Sequence, residues 1–387
     1  LTSASGESLF ISITVDSSGD VYAAGYIYGT GVFEFGDGSS RATSVAGKDS
    51  CRNTVVVKYD TSGKALWAKT LTSASGSSLF NSITVDSSGD VYAAGFIDGT
   101  GVFKFGDCSS PSTSVVGKYS GGIVVKYSAS GKALWAKTLT SASAMSQFNL
   151  ITVDASGNIY AAGHIDGTGV FEFGDGSSTS TSVVGKYIRE NAVVVKYDAS
   201  GKALWAKTLA FASHRSEFSS LVVDSSGNVY AAGYITGTDK FEFGDGYSAA
   251  TSVSASYFTN NIVVVKYDAS GKAIWAKTTT SASGESHFNS IAVDTSGNAY
   301  AAGAIAGYGA FEFGDRSSPA TLVVGQYDGY KAIIVKYDSS GKTLFAKTAT
   351  SASDDSVFFS IAVNSSGNMY AVGHIKGGMH YNFGQFE

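Results

Sequence analysis

The chain has little of what several functional classes require. Among its 387 residues there are two cysteines, two prolines and five histidines, and only 15% of the residues are charged. A net charge of −5 offers no basic surface for nucleic acid or anionic lipid, so we expect no nucleic-acid partner. No apolar run approaches the roughly 18 residues of a membrane span, so we expect no membrane-spanning segment. Two prolines beside 47 glycines indicate many tight turns between regular strands rather than a disordered tail.

Sequence motifs of catalysis and metal binding are also missing. The histidines form no His-x-x-x-His pair, the cysteines form no Cys-x-x-Cys pair, and there is no nucleophile elbow. Four glutamates occupy one position of the repeat described next and lie whole repeats apart, too far for a paired-carboxylate mechanism. They are Glu34, Glu172, Glu242 and Glu312. We therefore predict that the protein is not an enzyme and has no cofactor and no metal.

One stretch of sequence recurs almost six times. Val15–Gly25 reads Val-Asp-Ser-Ser-Gly-Asp-Val-Tyr-Ala-Ala-Gly and returns unchanged at Val85–Gly95, and near-copies follow at a spacing of about 70 residues. A fixed period of this length indicates a repeat architecture, in which each repeat buries apolar faces against its neighbours. We predict one domain, 1–387, with repeats at 1–70, 71–138, 139–208, 209–278, 279–348 and an incomplete sixth at 349–387.

Each repeat contains four principal strands. In repeat 2 they are predicted at Ser82–Val85, Val91–Ile97, Ile123–Tyr127 and Ala133–Lys137, where β-branched and aromatic runs are bounded by Ser, Gly and Asp. Between the second and third strands, a Phe-x-Phe-Gly-Asp segment predicts a small additional hairpin. No segment has a helical period, so we predict no helix. More than about twenty strands exceed one flat sheet, which favours an all-β β-propeller of about six blades with the sixth incomplete.

Asp-x-Ser-Gly sequences mark the turns of both hairpins in a repeat. The Asp side chain can accept hydrogen bonds from backbone N–H groups two residues on, and the Gly supplies the positive φ that such a turn requires. Calcium binding is the alternative. A calcium loop needs several converging carboxylates, and each turn here offers one, so we favour the structural interpretation.

One large aromatic residue per repeat lies on the fourth strand. It is most simply a packing anchor between blades, with a sugar-stacking platform as the functional alternative. The series is Trp67, Trp135, Trp205, Trp275 and Phe345.

The repeat as a whole is similar to known propeller repeats. Ser-Ile-Thr-Val-Asp, Val-Tyr-Ala-Ala-Gly, Val-Val-Val-Lys-Tyr-Asp and Ala-Leu-Trp-Ala-Lys-Thr in succession resemble the bacterial β-propeller repeat family often labelled seven-bladed, found in secreted proteins and lipoproteins. They are also similar to the NHL-type blade. The resemblance implies that the Ser-Ile-Thr-Val strand is innermost and the Leu-Trp-Ala-Lys strand outermost, and that the protein is extracellular or on a bacterial cell surface. It transfers no catalytic motif.

Alternating strand directions place all Asp-x-Ser-Gly turns on one face and the long, varied connections on the other. Function tends to sit on variable loops held by a rigid scaffold. The residues that vary after Ala-Ala-Gly combine aromatic surface with polar tips and could bind a ligand, although gap-filling between blades is the alternative. The predicted ligand-binding residues are Tyr26, Phe96, His164, Tyr234 and His374, with Asp98 and Asp166 two positions further on. A metal at His164, His374 and Asp166 is the less favoured interpretation.

These observations favour an extracellular, non-enzymatic binding or interaction module with a protein or glycan partner on the varied face. The alternative is a carbohydrate-binding, lectin-like propeller. A hydrolase or lyase with an axial active site is the third interpretation. The chain starts at Leu1 without Met, so we expect a processed form.

Two further expectations concern the cysteines and the sixth repeat. Cys51 and Cys108 lie in the long connections of adjacent repeats and would form a disulfide in a secreted setting. The sixth repeat stops after its two inner strands. We expect the free edge of Met369–Ile375 to pair with another copy of the chain, or the native chain to continue past Glu387.

Overall fold

Strands account for nearly all the regular structure of the chain. A computed structural model describes residues 3–4, 6–36, 43–106, 113–174, 181–244, 249–314, 321–325, 329–348 and 354–376. Within these ranges there is no α-helix, and the only helical element with defined bounds is a 3-10 turn at Ala249–Thr251. None of the described segments is a helix long and apolar enough to cross a membrane. The prediction of an all-β chain is confirmed.

Repeats 1 to 5 each form a four-stranded antiparallel sheet in the order first, second, third, fourth, and the described part of repeat 6 is a two-stranded hairpin. The first strands are Ser8–Val15, Ser78–Val85, Ser146–Val153, Ser216–Val223, Glu285–Val293 and Ser356–Val363. The second strands are Val21–Tyr28, Val91–Asp98, Ile159–Asp166, Val229–Thr236, Ala299–Ala306 and Met369–Ile375. The third strands are Arg52–Tyr59, Ser120–Tyr127, Glu190–Tyr197, Asn260–Tyr267 and Tyr330–Tyr337. The fourth strands are Ala65–Lys69, Ala133–Thr138, Ala203–Lys207, Ala273–Lys277 and Thr343–Thr348.

The predicted additional hairpin is present in repeats 1 to 5. The pairs are Val32–Glu34 with Ser44–Ala46, Val102–Lys104 with Ser114–Val116, Val170–Glu172 with Ser182–Val184, Lys240–Glu242 with Ser252–Ser254, and Gly309–Glu312 with Leu322–Gly325. In four repeats a two-residue strand from the start of the repeat joins this hairpin. These strands are Ser3–Ala4, Ser141–Ala142, Phe211–Ala212 and Ser281–Ala282. Two residues are too short for a period-2 pattern, so the sequence did not predict them.

Successive sheets pack face to face inside each of two compact units, Leu1–Gly185 with Val194–Lys207, and Lys186–Val193 with Thr208–Glu387. In the first unit, the first strand of repeat 2 lies across the first three strands of repeat 1, and the first strand of repeat 3 lies across the first three strands of repeat 2. In the second unit, the first strand of repeat 5 packs in the same way on repeat 4, and the first strand of repeat 6 packs in the same way on repeat 5. Repeated four-stranded sheets of this kind are consistent with a β-propeller, as predicted. The number of blades and the single domain stay predictions.

The first strand of repeat 2 begins four residues earlier than the sequence predicts, at Ser78 rather than Ser82. The early residues are ordered by packing on repeat 1: the Ser78 hydroxyl accepts a hydrogen bond from the Thr54 N–H at 3.0 Å, and the Phe80 side chain is fully buried. These contacts are tertiary, so a local pattern does not contain them.

The Asp-x-Ser-Gly turns have the structure that the sequence predicts. Asp154 Oδ1 accepts hydrogen bonds from the N–H groups of Ser156 and Asn158 at 2.9 Å, and Gly157 has a φ of 78°. Asp154 Oδ2 accepts from Asn158 Nδ2 at 2.8 Å and from the Tyr160 hydroxyl at 3.0 Å. Both carboxylate oxygens are therefore used within the turn, which favours the structural interpretation over calcium binding.

The tryptophans of the fourth strands are packing anchors between successive sheets. Trp67 of repeat 1 is buried, and its Nε1 donates to the carbonyl oxygen of Ala129 in repeat 2 at 3.1 Å. Gly131 lies under the indole ring, where a Cβ would come within 2.8 Å of a ring carbon. Trp135 and Trp275 make the same hydrogen bond to the next repeat, at 3.2 Å. Burial on both ring faces leaves no platform for a sugar here.

Replacing Trp67 by Ala should destabilise the protein by about 3–5 kcal/mol, because it leaves a cavity between two sheets and removes the hydrogen bond to Ala129. The matched control is Leu66→Ala, which truncates an exposed side chain on the same strand and should change stability by less than about 0.5 kcal/mol. The measurement is the urea midpoint of each variant. Equal shifts for the two variants would show that Trp67 is not an anchor.

Replacing Asp154 by Ala should destabilise the protein in a pH-dependent way. Burial alone raises the pKa of Asp154, but the hydrogen bonds from Asn158, Tyr160 and Ser156 outweigh it, so the pKa in the folded protein is lowered. The carboxylate therefore stabilises the fold above the unfolded pKa of about 3.9, and this contribution is lost as pH falls through the folded pKa. The urea midpoint of Asp154→Ala should lie well below that of the unmodified protein at neutral pH, and the gap should shrink below about pH 4.

Ser128 provides the control for this measurement, because its hydroxyl occupies the same turn position, accepts the N–H of Lys132 at 3.2 Å and does not titrate. The decrease in urea midpoint caused by Ser128→Ala should be the same at neutral pH and below about pH 4. A gap for Asp154→Ala that stays constant on acidification would contradict the account.

Candidate functional site

Three of the loops that lead into the third strands are fixed in shape by a buried asparagine, and the loop of repeat 2 has Gly121 at that position. Asn53 Oδ1 accepts hydrogen bonds from the N–H groups of Lys48 and Asp49 at 2.7 and 2.8 Å, and its Nδ2 donates to the carbonyl oxygens of Asp49 and Cys51. Asn191 and Asn261 bind their own loops in the same way. One side chain thus satisfies four backbone groups that have no strand partner. We call Lys48–Asn53, Lys118–Gly122, Lys186–Asn191 and Ser256–Asn261 the third-strand loops.

Three of these loops carry a large, exposed apolar or aromatic side chain at the tip. Ile188 is 72% exposed and Phe258 is 69% exposed, and Tyr119 is also exposed. Tyr119 is the only non-glycine residue with a positive φ in the described part of the chain, at 58°, a conformation that is uncommon for a bulky residue. Apolar side chains held out on ordered loops are typical of contact surfaces.

Tyr26 is placed by the structure in the packing between elements. It is 7% exposed, and its hydroxyl donates to Glu7 Oε1 at 2.8 Å. The Arg52 guanidinium lies 5.1 Å from the ring centroid. The gap-filling interpretation therefore fits Tyr26 better than ligand binding does.

Tyr234 is the predicted site residue with the richest polar surroundings. The ring is half-buried, and the hydroxyl donates to Glu217 Oε2 at 2.7 Å. Burial raises the pKa of Tyr234, and the carboxylates of Glu217 and Glu190 raise it further. The hydroxyl therefore stays protonated and is a fixed donor at neutral pH.

Further polar and aromatic side-chain pairs lie in the second compact unit, which also holds Tyr234. Arg215 Nε lies 3.2 Å from Glu190 Oε2, and both side chains are partly exposed. The rings of Tyr187 and His214 lie 5.3 Å apart, and His214 is exposed. Sequence reasoning missed Glu190, Arg215 and Glu217. The strand register could have identified Glu217, because Glu217 pairs with Tyr234 on the neighbouring strand.

Repeat 5 carries a group of polar and aromatic side chains around Tyr330. The Tyr330 hydroxyl donates to Glu285 Oε1 at 2.8 Å, and its N–H donates to Asp355 Oδ1 at 2.9 Å. The His287 ring lies 5.6 Å from that of Tyr330. Burial lowers the pKa of His287, against the raising effect of Glu285, so His287 is neutral near pH 7.

The other predicted ligand-binding residues differ in their exposure. Phe96 and His164 are half-buried on their second strands, and Asp166 is half-buried at the end of the strand that holds His164. Asp98 and His374 are exposed, and the His374 ring lies 5.3 Å from that of Phe359. The assignment of these residues to a ligand site stays a prediction.

In the residues that the structure describes, no three His, Cys, Asp or Glu side chains form a cluster that could hold a metal ion. The absence of a metal or cofactor stays a prediction. Cys51 is exposed and is a free thiol, contrary to the predicted disulfide. Its predicted partner, Cys108, lies outside the described residues.

Comparison with known proteins gives a likeness to solved structures alone. No family model and no curated protein matches the sequence. One matching solved structure is a gluconolactonase from Xanthomonas campestris, 11% identical, covering 96% of this chain and 94% of that chain, with a TM-score of 0.33. At this TM-score the likeness supports no conclusion about a reaction or a substrate.

The prediction that the protein is not an enzyme needs correction. The matching solved structure belongs to an enzyme, and the prediction rested on missing sequence motifs. A propeller can assemble a site from single residues on separate blades, which leaves no motif in the sequence. The prediction is therefore contradicted, and we do not retain it.

Replacing Tyr234 by Phe should cost about 1 kcal/mol, because the half-buried Glu217 carboxylate loses a hydrogen-bond donor while the ring packing is kept. The measurement is the urea midpoint. Tyr308→Phe is the control, because Tyr308 is largely exposed and its change should stay within about 0.5 kcal/mol. In a Glu217→Gln background the cost of Tyr234→Phe should shrink. An undiminished cost would show that the two side chains are not coupled.

Proposed function

We propose that the chain binds a partner protein through the third-strand loops and the polar side chains beside them. The observation that carries this function is the pair of exposed tips in the second compact unit, Ile188 and Phe258. Their loops are already ordered by Asn191 and Asn261. A partner therefore gains apolar burial without the entropic cost of ordering the loops.

The polar side chains of the second compact unit supply orientation to this surface. The Arg215–Glu190 ion pair is partly exposed, so it adds little to folding stability. Charged groups at the edge of a contact surface select a partner of complementary charge and fix its orientation. Arg and Tyr are also the residue types that dominate binding energy at protein interfaces.

The opposite face carries the Asp-x-Ser-Gly turns. Its Asp carboxylates are engaged in their own turns, as Asp198 and Asp268 are with the N–H groups of the following residues. The varied face is therefore the better candidate. Membership of the secreted bacterial repeat family, and a location outside the cell, are part of this proposal and are supported by the repeat sequence.

A glycan is the second candidate ligand. Exposed aromatic rings can stack on sugar faces, and the ring pair of Tyr187 and His214 together with Phe258 would supply such faces. Ile188 separates the two candidates, because an exposed aliphatic side chain contributes to a protein contact and offers no stacking surface.

The test is a screen of the purified chain on a protein array and a glycan array in parallel, repeated with Ile188→Ala, Phe258→Ala and, as matched control, Ile274→Ala. Ile274 is an exposed isoleucine of the same compact unit that lies on a fourth strand. Protein binding should weaken by about tenfold or more in the first two variants and stay unchanged in the control.

Glycan binding that weakens in Phe258→Ala but not in Ile188→Ala would favour the second candidate. Binding that survives all the loop substitutions would contradict both, because it would place the contact surface elsewhere.

A further inference from the structure

The end of the fourth strand of repeat 4 and parts of repeat 5 border a cavity of about 620 Å³ in the second compact unit. The part of the wall from repeat 5 comes from residues beside its additional hairpin and from the turn and fourth strand that follow Asp338. The volume is within the range of about 300–1,000 Å³ that is typical of small-molecule sites. None of the described wall residues belongs to a third-strand loop, so the cavity is distinct from the proposed partner surface.

The side chain of Lys277 packs along one wall of this cavity. Its Cε lies 2.9 Å from the position that a Cβ on Gly341 would take, so the carbon chain of the lysine rests on the bare glycine. Gly341 has a positive φ of 84° in the turn between the third and fourth strands of repeat 5, and Lys342 follows it directly. Lys277 and Lys342 therefore line the cavity side by side.

The described wall residues carry two positive charges and no negative one. Lys277 is half-buried and Lys342 is exposed, and within the described part of the chain neither ammonium group has an ion-pair or hydrogen-bond partner. Asp338, at the start of the adjoining turn, uses its Oδ1 to accept the N–H groups of Ser340 and Lys342. Two ammonium groups that share a cavity favour an anionic ligand, because it relieves their repulsion and accepts charge-assisted hydrogen bonds.

The threonine hydroxyls of the cavity already donate their protons to the chain. Thr280 Oγ1 donates to the carbonyl oxygen of Gly314 at 2.8 Å, and Thr343 Oγ1 donates to the carbonyl oxygen of Phe313. A hydroxyl oxygen that donates its one proton can still accept hydrogen bonds. The cavity therefore offers ammonium donors together with hydroxyl acceptors. This set is complementary to a ligand that carries both an anionic group and hydroxyl groups.

Thr343 distinguishes this cavity from the corresponding places in the other repeats. Lys69 packs on Gly131 in the first compact unit as Lys277 packs on Gly341, with its Cε at 2.8 Å from the corresponding Cβ position, so that contact belongs to the repeated scaffold. The hydroxyl of Thr343 does not belong to the scaffold, because repeats 1 to 4 have alanine at its position. These alanines are Ala65, Ala133, Ala203 and Ala273.

We propose that this cavity binds a small hydroxylated organic acid with the size and chemistry of a sugar acid. The ammonium groups of Lys277 and Lys342 hold its carboxylate, and its hydroxyl groups donate to the oxygens of Thr280 and Thr343. A bare inorganic anion would leave most of the volume and the hydroxyl acceptors unused. The proposal depends on no residue of the third-strand loops, so it stands or fails separately from the proposed partner binding.

Isothermal titration calorimetry of the purified chain with glucuronate and galacturonate tests the proposal. Glucose and galactose are the matched ligands without a carboxylate, and inorganic phosphate is an anion without a hydroxylated body. Lys277→Met keeps an unbranched chain against Gly341 and removes the charge, and Thr343→Ala restores the residue of repeats 1 to 4. The matched control is Lys69→Met, at the same position of repeat 1. Circular dichroism checks that each variant is folded.

At least one of the two sugar acids should bind saturably at one site per chain. Its affinity should fall by about tenfold or more in Lys277→Met and by about threefold or more in Thr343→Ala, and should be unchanged in Lys69→Met. The proposal would be overturned if neither acid binds, or if Lys69→Met loses as much affinity as Lys277→Met, because the site would then lie elsewhere. A neutral sugar or phosphate that binds as tightly as the acid would also overturn it, because the cavity would then not recognise both groups of the ligand.

Discussion

The described structure depends on one interaction within each compact unit. The first strand of one sheet packs across the first three strands of the sheet before it. It buries the apolar rows of both sheets, such as Tyr22 with Phe80 and Ile83. It also closes the polar gaps, since buried serines such as Ser78 and Ser146 accept backbone N–H groups of the preceding repeat. A single sheet cannot do this alone, because both of its faces are apolar. Stability is therefore a sum of interfaces between neighbours.

The same constraint separates scaffold from surface. Fourth-strand tryptophans and first-strand serines are tied to neighbouring repeats, and turn carboxylates are tied to their own turns, so these side chains serve the scaffold. Three of the third-strand loops are different, because Asn53, Asn191 and Asn261 bind the loop backbone and leave the tips free to vary. Ile188 and Phe258 occur at such tips. A rigid loop with a variable tip is a simple physical route to a specific contact surface on a repeated fold.

Much of the fold follows from the sequence, because it is local and repeated six times. The strands, the Asp-x-Ser-Gly turns and the additional hairpin were predictable from period-2 patterns and turn chemistry. The early start at Ser78 was not, since it depends on contacts with the preceding repeat. The candidate site depends on contacts that no local pattern contains: the Tyr26 hydroxyl donates to Glu7, and Glu190 and Arg215 pair across segments that only the folded chain brings together. The assignment of the ligand-binding residues stays a prediction. The exclusion of enzymatic activity failed because missing motifs are weak evidence in a fold whose sites come from separate blades.

Amide hydrogen exchange tests the central dependence on repeat-to-repeat packing most directly. Ile83 and Ile13 occupy the same position of the repeat, but the Ile83 N–H donates to the Ser12 hydroxyl at 3.2 Å under the packing of two sheets, whereas the Ile13 side chain is 68% exposed. The account predicts that the Ile83 amide exchanges far more slowly than the Ile13 amide. Equal protection of the two amides would contradict it, because each sheet would then be stable without its neighbour.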